Sequence, residues 1–341
     1  MQEHKIESLD ALRALIPPPP AMMHKRLQPT LDEYCLMIIQ RASVCAVGCA
    51  DPALDIEYLD LRSHPVESAE GQNIVLHWPA GKPLPQGLAE GLACSLYFMM
   101  PGVGFSLRAN GRGSVISTEA GTVLAFRVGA LFLHCSRAKV RANFWEVRAS
   151  ARAYAPEEGS KLSDQALAFI AASPYLLMLT QDHAESTELS PRGDPDGFVQ
   201  VLDRQTLLIP ERPGNKVACS MSNILADGSV RLSLLLPGAG MVLSLAGRAW
   251  LTKDPARLEP LTVKGKRPLV AIVLEVQRYR FQPSPELLTA GLWDKTTHMR
   301  DGEIPAFSKM LSEHMNGKGL LGKATTLVVD AVVKHDLKHL Y

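Results

Sequence analysis

A repeated segment is the feature that most limits what this chain can fold into. Residues 101–113 (PGVGFSLRANGRG) and 237–249 (PGAGMVLSLAGRA) share proline, glycine, leucine and arginine at one constant offset. Each copy follows an apolar run typical of a β-strand, and Pro-Gly-x-Gly favours a turn into a hairpin partner. Two further segments, 133–145 and 281–293, have equal length and both end in tryptophan. Repeats of this size predict one domain present twice rather than a solenoid.

Length and composition agree with two soluble domains. The 341 residues are 46% hydrophobic and 21% charged, with a formal net charge of +1. This charge gives no electrostatic reason to expect a nucleic-acid partner, and no apolar run is long enough to span a membrane. Acidic residues interrupt the start of the chain, so no signal peptide is predicted. The six cysteines form no CxxC pair and no zinc pattern, which favours buried thiols, a reducing cytoplasm and no metal site.

The predicted elements are short strands with helices around them. Ser8 and Ser163 are placed to cap helices, and Thr30 with Glu33 forms a capping-box pattern before another helix. A closed or half-closed barrel protects the edges of short strands. We therefore expect a mainly β fold with peripheral helices (α+β). The predicted domains are residues 1–155 and residues 156–341, the second ending in a helical tail packed on a barrel.

Residues 190–223 carry the strongest indication of a ligand site. They are predicted to form a loop, a hairpin and a second loop that opens a short helix, with Asn215 at the N-cap position. Free N–H groups and the helix dipole at such a start favour an anion, and Arg192, Arg212 and Lys216 add positive charge. Gly214 lets the backbone approach a phosphate closely. The alternative is an ordinary turn with solvated basic side chains.

The motifs SPRGDPDGF and TLLIPERPGN and the following SN resemble those of pyridoxamine 5'-phosphate oxidase-like proteins, the FMN-binding split β-barrel family. This resemblance implies two split barrels packed as an intramolecular pseudo-dimer, with FMN in a groove between them. It also implies that residues 214–216 hold the FMN phosphate. The segment containing His134, Lys139, Arg141 and Trp145 resembles the family's terminal arm, which has the pattern HC…KA…R…LW.

The two copies differ in which of these features they keep. The first half has the shorter PAGKPLPQGLAEG (residues 79–91) in place of the second half's phosphate loop, and its prolines leave little room for a helix start. The second half keeps the loop but lacks the polar residues of the arm. We therefore expect one composite cofactor site and no site in the mirror-image groove. Its predicted cofactor-binding residues are Ser190, Arg192, Arg212, Gly214, Asn215 and Lys216 from the second half and His134, Arg141 and Trp145 from the first. The alternative for His134 and Trp145 is a role in the core.

The sequence thus predicts an FMN-binding flavoprotein, an oxidoreductase acting on a small molecule. No side chain is identified as an acid–base catalyst, and neither substrate nor electron donor is indicated. Two other classes stay open. A split barrel of this kind could bind or degrade heme, with His134 or a tail histidine as the axial ligand, or it could be a cofactor-free binding or scaffold protein. The protein is expected to be a monomer or a homodimer.

Overall fold

The computed structural model of the chain describes residues 4–51, 53, 55–83, 91–119, 121–148, 154–182 and 186–341. Its first half forms one antiparallel sheet. The strands of this half are β1 (Lys5–Ile6), β2 (Val44–Cys49), β3 (Glu57–Asp60), β4 (Ser68–Glu70), β5 (Asn73–Trp78), β6 (Leu92–Met99), β7 (Ser106–Thr118) and β8 (Gly121–His134). The sheet order is β3-β2-β6-β7-β8-β5-β4, and β1 lies outside it.

The second half repeats this order. Its strands are β9 (Glu157–Gly159), β10 (Tyr175–Asp182), β11 (Ser186–Gly193), β12 (Gln200–Asp203), β13 (Thr206–Pro210), β14 (Ser229–Leu235), β15 (Met241–Thr252) and β16 (Ala271–Pro283). They follow one another as β11-β10-β14-β15-β16-β13-β12, with β1 on β15 and β9 on β16. Strand for strand, this is the topology of the first sheet. The predicted fold class, mainly β with two tandem domains, is confirmed.

The glycines shared by the two repeats serve the same purpose in each sheet. The ladder between β7 and β8 shifts register at Gly111, and the ladder between β15 and β16 shifts at Gly247. A Cβ at Gly111 would lie 2.0 Å from the carbonyl oxygen of Arg127, and one at Gly247 would lie 1.9 Å from that of Glu275. Because no side chain fits at that distance, both bulges require glycine.

Helices surround the sheets. They are α1 (Leu9–Leu15), α2 (Glu33–Arg41), α3 (Arg137–Arg141), α4 (Asp164–Ala172), α5 (Cys219–Ala226), α6 (Pro255–Leu258), α7 (Glu286–Thr289), α8 (Phe307–Asn316) and α9 (Leu320–Lys338). Ser8 and Ser163 cap α1 and α4 as predicted. The capping box at Thr30 is wrong, because α2 begins at Glu33 and Asp32 accepts the amide hydrogen of Cys35.

The two halves pack against each other through a third apolar core, distinct from the core inside each half. Tyr97, Phe144 and Tyr175 are among its buried members. Polar contacts cross the same seam: the Tyr58 hydroxyl donates to Ser233 Oγ at 2.8 Å, and the amide of Leu189 donates to Ser95 Oγ. This is the pseudo-dimer arrangement expected from the sequence.

The chain ends lie across the predicted domain boundary. Leu12 of α1 belongs to the core of the second half, whereas Met310 of α8 belongs to the core of the first. The division at residue 155 therefore stays a prediction. The tail helix α9 differs from expectation, because Leu327 is 77% exposed and Val328 63% exposed rather than packed on a barrel. Within the described ranges, no helix is long and apolar enough to cross a membrane.

Candidate functional site

A cavity of about 130 Å³ lies between the two halves, where β8 and α3 of the first half meet β11, β13 and the 211–220 segment of the second. Most of the predicted site residues are found here. Those that line the cavity are His134, Arg141, Ser190, Arg192, Arg212, Gly214 and Asn215. Both halves contribute, so the loop at Gly214 faces the seam between them. Lys216 and Trp145, the two remaining predictions, do not line this cavity.

The lining is strongly basic. Its six arginines are Arg26, Arg108, Arg137, Arg141, Arg192 and Arg212, against the two carboxylates of Asp194 and Glu211. Arg212 Nε donates to Asp194 Oδ2 at 2.6 Å in a pair that is almost fully buried. Arg192 lies 3.3 Å from Glu211. The two lining acids are therefore each matched by one arginine. Arg108 pairs with Glu188 and Arg137 with Asp336, two acids outside the lining, so Arg26 and Arg141 give the cavity its excess of positive charge.

Two of these arginines have only neutral partners in the described part of the chain. Arg26 Nη1 donates to the carbonyl oxygen of Met23 at 2.7 Å. Arg141 donates to the carbonyl oxygens of Leu340 at 2.9 Å and Pro213 at 2.6 Å. Both side chains are buried. A buried guanidinium without a counter-charge favours an anion, and phosphate or carboxylate matches its donors best.

Arg108 is a site residue that the sequence interpretation missed. Its guanidinium donates to Ser190 Oγ at 3.0 Å, forms an ion pair with Glu188, and lies 3.9 Å from the centre of the Phe132 ring. Arg108 thereby links β7 of the first half to β11 of the second. The repeat contains the signal that would have found it, because Ser244 occupies the same position in the second copy.

His134 is neutral and has an unused ring nitrogen. Burial lowers the pKa of His134 well below its ordinary value, and repulsion by Arg108 and Arg192 lowers it further. Its Nε2 atom is buried and makes no hydrogen bond within the described residues. The ring lies edge-on to Tyr97. His134 is therefore available as a hydrogen-bond partner or a metal ligand, but not as a fixed charge.

The phosphate loop does not form the predicted helix start. Asn215 Oδ1 accepts the amide hydrogen of Val217 at 3.0 Å, and α5 begins only at Cys219. The N-cap is Ala218, which has a φ of 61° and caps with no side-chain hydrogen bond, so the predicted N-cap role of Asn215 is wrong. The physical reason is the left-handed backbone at Lys216 and Ala218, which interrupts the helix. Arginine side chains, rather than a helix dipole at Asn215, supply the positive field.

Lys216 is exposed and lines a second cavity, of about 280 Å³, on the other side of the loop. The two cavities share the wall formed by residues 211–215. Arg13 of α1 donates to the carbonyl oxygens of Lys216 and Val217 and holds this part of the loop. A Cβ added to Gly214 would meet nothing closer than 3.9 Å, so space remains beside the loop in the structure.

Trp145 packs in the seam away from the cavity. Its ring contacts Phe144 and His298, and the Lys139 ammonium lies 5.1 Å from its centre. The chain leaves α3 after Arg141 and turns at Asn143, which has a positive φ. This turn separates Trp145 from Arg141, so the core role is the better description of Trp145.

The C-terminal residues 339–341 contact side chains that line the arginine cavity. The Tyr341 hydroxyl donates to Asp194 Oδ1 at 2.7 Å. Arg137 donates to the carbonyl oxygen of His339 at 2.9 Å, and Arg141 to that of Leu340. No sequence pattern indicated this contact. An anion that binds Arg137 or Arg141 must share or replace these bonds.

The mirror-image groove has the opposite chemistry. In the first sheet, Glu57 lies opposite Val47 of β2. Ser190 holds the equivalent position in the second sheet, where it lies opposite Met178 of β10. Lys82 lies 3.1 Å from Glu57 and 3.0 Å from Glu286, so one cation sits between two carboxylates. Burial raises the pKa of Glu57, and Lys82 acts against this shift. Residues 84–90 of the PAGKPLPQGLAEG segment lie outside the described part, but the carboxylates seen here would repel a phosphate.

Comparisons with known proteins give only distant likenesses. No protein-family model and no curated protein matches the chain. Among solved structures it is similar to HupZ of Group A Streptococcus, at 15% identity and a TM-score of 0.31, over 36% of this chain and 95% of that one. It is also similar to a putative pyridoxamine 5'-phosphate oxidase from Lactobacillus delbrueckii, at 17% identity and a TM-score of 0.29, over 36% of this chain and 94% of that one. The similarity to a FAD binding protein from Mycobacterium smegmatis has 15% identity and a TM-score of 0.26, over 36% of this chain and 95% of that one. These scores add nothing to what the strand order itself shows.

Proposed function

We propose that the arginine-lined cavity binds the phosphate of FMN and that the protein is a flavin-dependent oxidoreductase acting on a small molecule. The observation that carries this proposal is that the cavity between the halves has more buried arginines than carboxylates to pair with them, even when the Arg108–Glu188 and Arg137–Asp336 pairs are counted. Arg26 and Arg141 lack a carboxylate partner among the described side chains, so a bound phosphate would supply the missing charge.

The size of the cavity limits which part of the cofactor it suits. At about 130 Å³ it is well below the roughly 300–1,000 Å³ of pockets that enclose a drug-sized ligand. It therefore suits the anionic end of the cofactor. Arg141, Arg192 and Arg212 would hold the phosphate, with the Ser190 hydroxyl as a further partner.

FMN, when bound, supplies hydride or electron transfer, and the protein supplies orientation and electrostatics. The arginines fix the charged end of the ligand, and the pairs with Asp194 and Glu211 hold two of them in place. His134, neutral and with a free Nε2, can donate to or accept from one ligand atom. No described side chain is assigned a proton-transfer step.

The proposal is tested by titrating the purified protein with FMN and, separately, with riboflavin, followed by flavin fluorescence. Riboflavin is the matched control because it lacks only the phosphate. We expect one FMN per chain and riboflavin binding weaker by about 100-fold, since at least one charge-assisted contact of about 1.5–3 kcal/mol is lost. Equal affinity for the two flavins, two flavins per chain, or no binding would each contradict the proposal.

Heme is the second candidate, and His134 is the observation that favours it. A neutral imidazole with an unpartnered Nε2 is suited to be an axial ligand. A sharp Soret band shifted from that of free hemin, lost in His134→Ala and kept in His298→Ala, would favour heme over FMN.

A cofactor-free binding or scaffold role is the third candidate. It is favoured by the tail contacts, because the carbonyl oxygens of His339 and Leu340 already accept hydrogen bonds from Arg137 and Arg141. Absence of both flavin and heme binding to the purified protein would support it.

A further inference from the structure

Outside the arginine cavity, the start of α2 and the end of α8 bring together three side chains of the types that bind transition metals. Asp32, Cys35 and His314 each offer one ligand atom, and these atoms all lie within 4.8 Å of one another. Sequence spacing concealed the cluster, because His314 is contributed by the C-terminal region. None of the three lines the arginine cavity.

His314 is the unusual member of this cluster. Its side chain is only 2% exposed, and its Nε2 lies 2.8 Å from Asp32 Oδ2. Despite this proximity, neither ring nitrogen makes a hydrogen bond of acceptable geometry within the described residues. Nε2 is therefore close to one carboxylate, and Nδ1 has no polar partner within the described residues. A buried nitrogen left without a hydrogen bond costs about 1–3 kcal/mol, which a ligand at this histidine would offset.

Asp32 and Cys35 are held on one helical turn. Asp32 Oδ1 accepts the amide hydrogen of Cys35 at 2.8 Å, which leaves Oδ2 turned to His314. The Cys35 side chain is fully buried. Asp32 is the N-cap of α2, so its orientation follows from helix formation and needs no metal.

We propose that Asp32, Cys35 and His314 form a binding site for a divalent transition metal ion of the zinc type. Carboxylate, thiolate and imidazole are the ligands that Zn²⁺ takes in proteins, and three of them leave one position for water. An ionised carboxylate and a thiolate balance the two charges of the ion. Binding releases the thiol proton to solvent, as metal binding to cysteine does in general.

The required movement is small. With metal–ligand lengths of about 2.1 Å, neighbouring tetrahedral ligand atoms lie about 3.4 Å apart. The 2.8 Å contact between Asp32 and His314 must open by about 0.6 Å, and Cys35 Sγ must move inward from a separation of at most 4.8 Å. Rotation of these side chains suffices, because all three extend from helices that are already docked. The Tyr34 hydroxyl donates to Glu313 at 2.6 Å and holds α8 against α2 beside the site.

The experiment is a titration of the full-length protein, freed of metal by a chelator, with Co²⁺ as the probe. We expect one equivalent to bind with the visible bands of a tetrahedral site and a near-ultraviolet thiolate-to-cobalt charge-transfer band. Zn²⁺ should displace the cobalt stoichiometrically. The charge-transfer band should disappear in Cys35→Ser. Cobalt affinity should fall by at least about 10-fold in Asp32→Asn and His314→Gln, because losing a ligand costs at least as much as losing a hydrogen-bond partner of a ligand.

Two controls separate this site from other histidines. His298→Gln removes another C-terminal histidine, whose buried Nε2 has no hydrogen-bond partner in the part of the chain that the structure describes, and it should leave cobalt binding unchanged. A His335→Gln/His339→Gln double variant removes the stacked histidine pair on α9 and should also bind one equivalent. Failure of the wild-type protein to bind cobalt, or a charge-transfer band that persists in Cys35→Ser, would overturn the proposal even if another variant failed to fold.

Discussion

The two grooves between the halves lie beside equivalent strands and have opposite chemistry. One is lined by six arginines and two acids; the other places Lys82 between Glu57 and Glu286. At the equivalent register position one groove has Ser190 and the other Glu57. The comparison shows that, in this fold, a few side chains at equivalent strand positions change the charge of a groove.

The largest expected effect tests how firmly the basic groove is built. Arg212→Met should lower the free energy of unfolding by about 3–5 kcal/mol, because Asp194 is left as a buried, unpaired charge. Urea denaturation measures the loss. Arg248→Met is the matched control: Arg248 pairs with Asp227 at the surface, and its removal should cost less than about 1 kcal/mol. Equal losses in the two variants would show that the buried pair is not a structural element.

The second prediction converts one groove into the other. Ser190→Glu places in the basic cavity the residue that the mirror groove has at that position. The new carboxylate should pair with Arg108 and repel phosphate, so FMN affinity should fall by at least about 100-fold. The reciprocal Glu57→Ser should leave one flavin per chain, because it adds no arginine to the mirror groove. Flavin titration decides both, and retained binding in Ser190→Glu would place the phosphate elsewhere.

The third prediction concerns Lys139 of α3, which corresponds to Leu287 of α7 in the second copy. Lys139 donates to Ser106 Oγ at 2.8 Å, and burial lowers its pKa to about 7. Between pH 7 and the unfolded pKa of about 10.4, Lys139 has lost its proton in the folded protein and keeps it in the unfolded chain. Stability therefore rises with pH in this window, by about 2 kcal/mol from pH 7 to pH 9.

Lys139→Leu should remove that rise, and chemical denaturation at several pH values measures it. Lys253→Leu, at an exposed lysine just beyond the end of β15, is the control for replacing a lysine by leucine. An unchanged pH slope in Lys139→Leu would mean that the ammonium stays charged in the folded protein.

The smallest expected effect concerns the C-terminal residues 339–341, which contact the basic groove. Within the described residues, no equivalent segment contacts the mirror groove. Tyr341→Phe removes the hydrogen bond to Asp194 but keeps the ring. If the tail competes with the ligand, losing about 1 kcal/mol from the tail should tighten FMN binding by about fivefold. Weaker binding would instead make Tyr341 part of the ligand site. Tyr279→Phe, at a tyrosine outside the cavity, is the control.

The sequence determined the strands and much of the site. Periodic apolar runs, Pro-Gly turns and repeated glycines predicted the two halves, because bulges and turns accept few residue types. The motifs around Ser190 and Arg212 located the cavity wall. Lys216 was misplaced because its left-handed backbone turns the side chain to the other side of the loop. Propensity alone does not reveal such a conformation.

Only the tertiary structure decided the rest. Arg108, the tail residues 339–341 and the cluster at His314 act through partners far away in the sequence, and no local pattern encodes those distances. Trp145 fits the sequence motif, yet the turn at Asn143 takes it away from the cavity. Local chemistry fixed which elements form, whereas the packing of two sheets fixed which side chains meet, because contact across a seam depends on both surfaces at once.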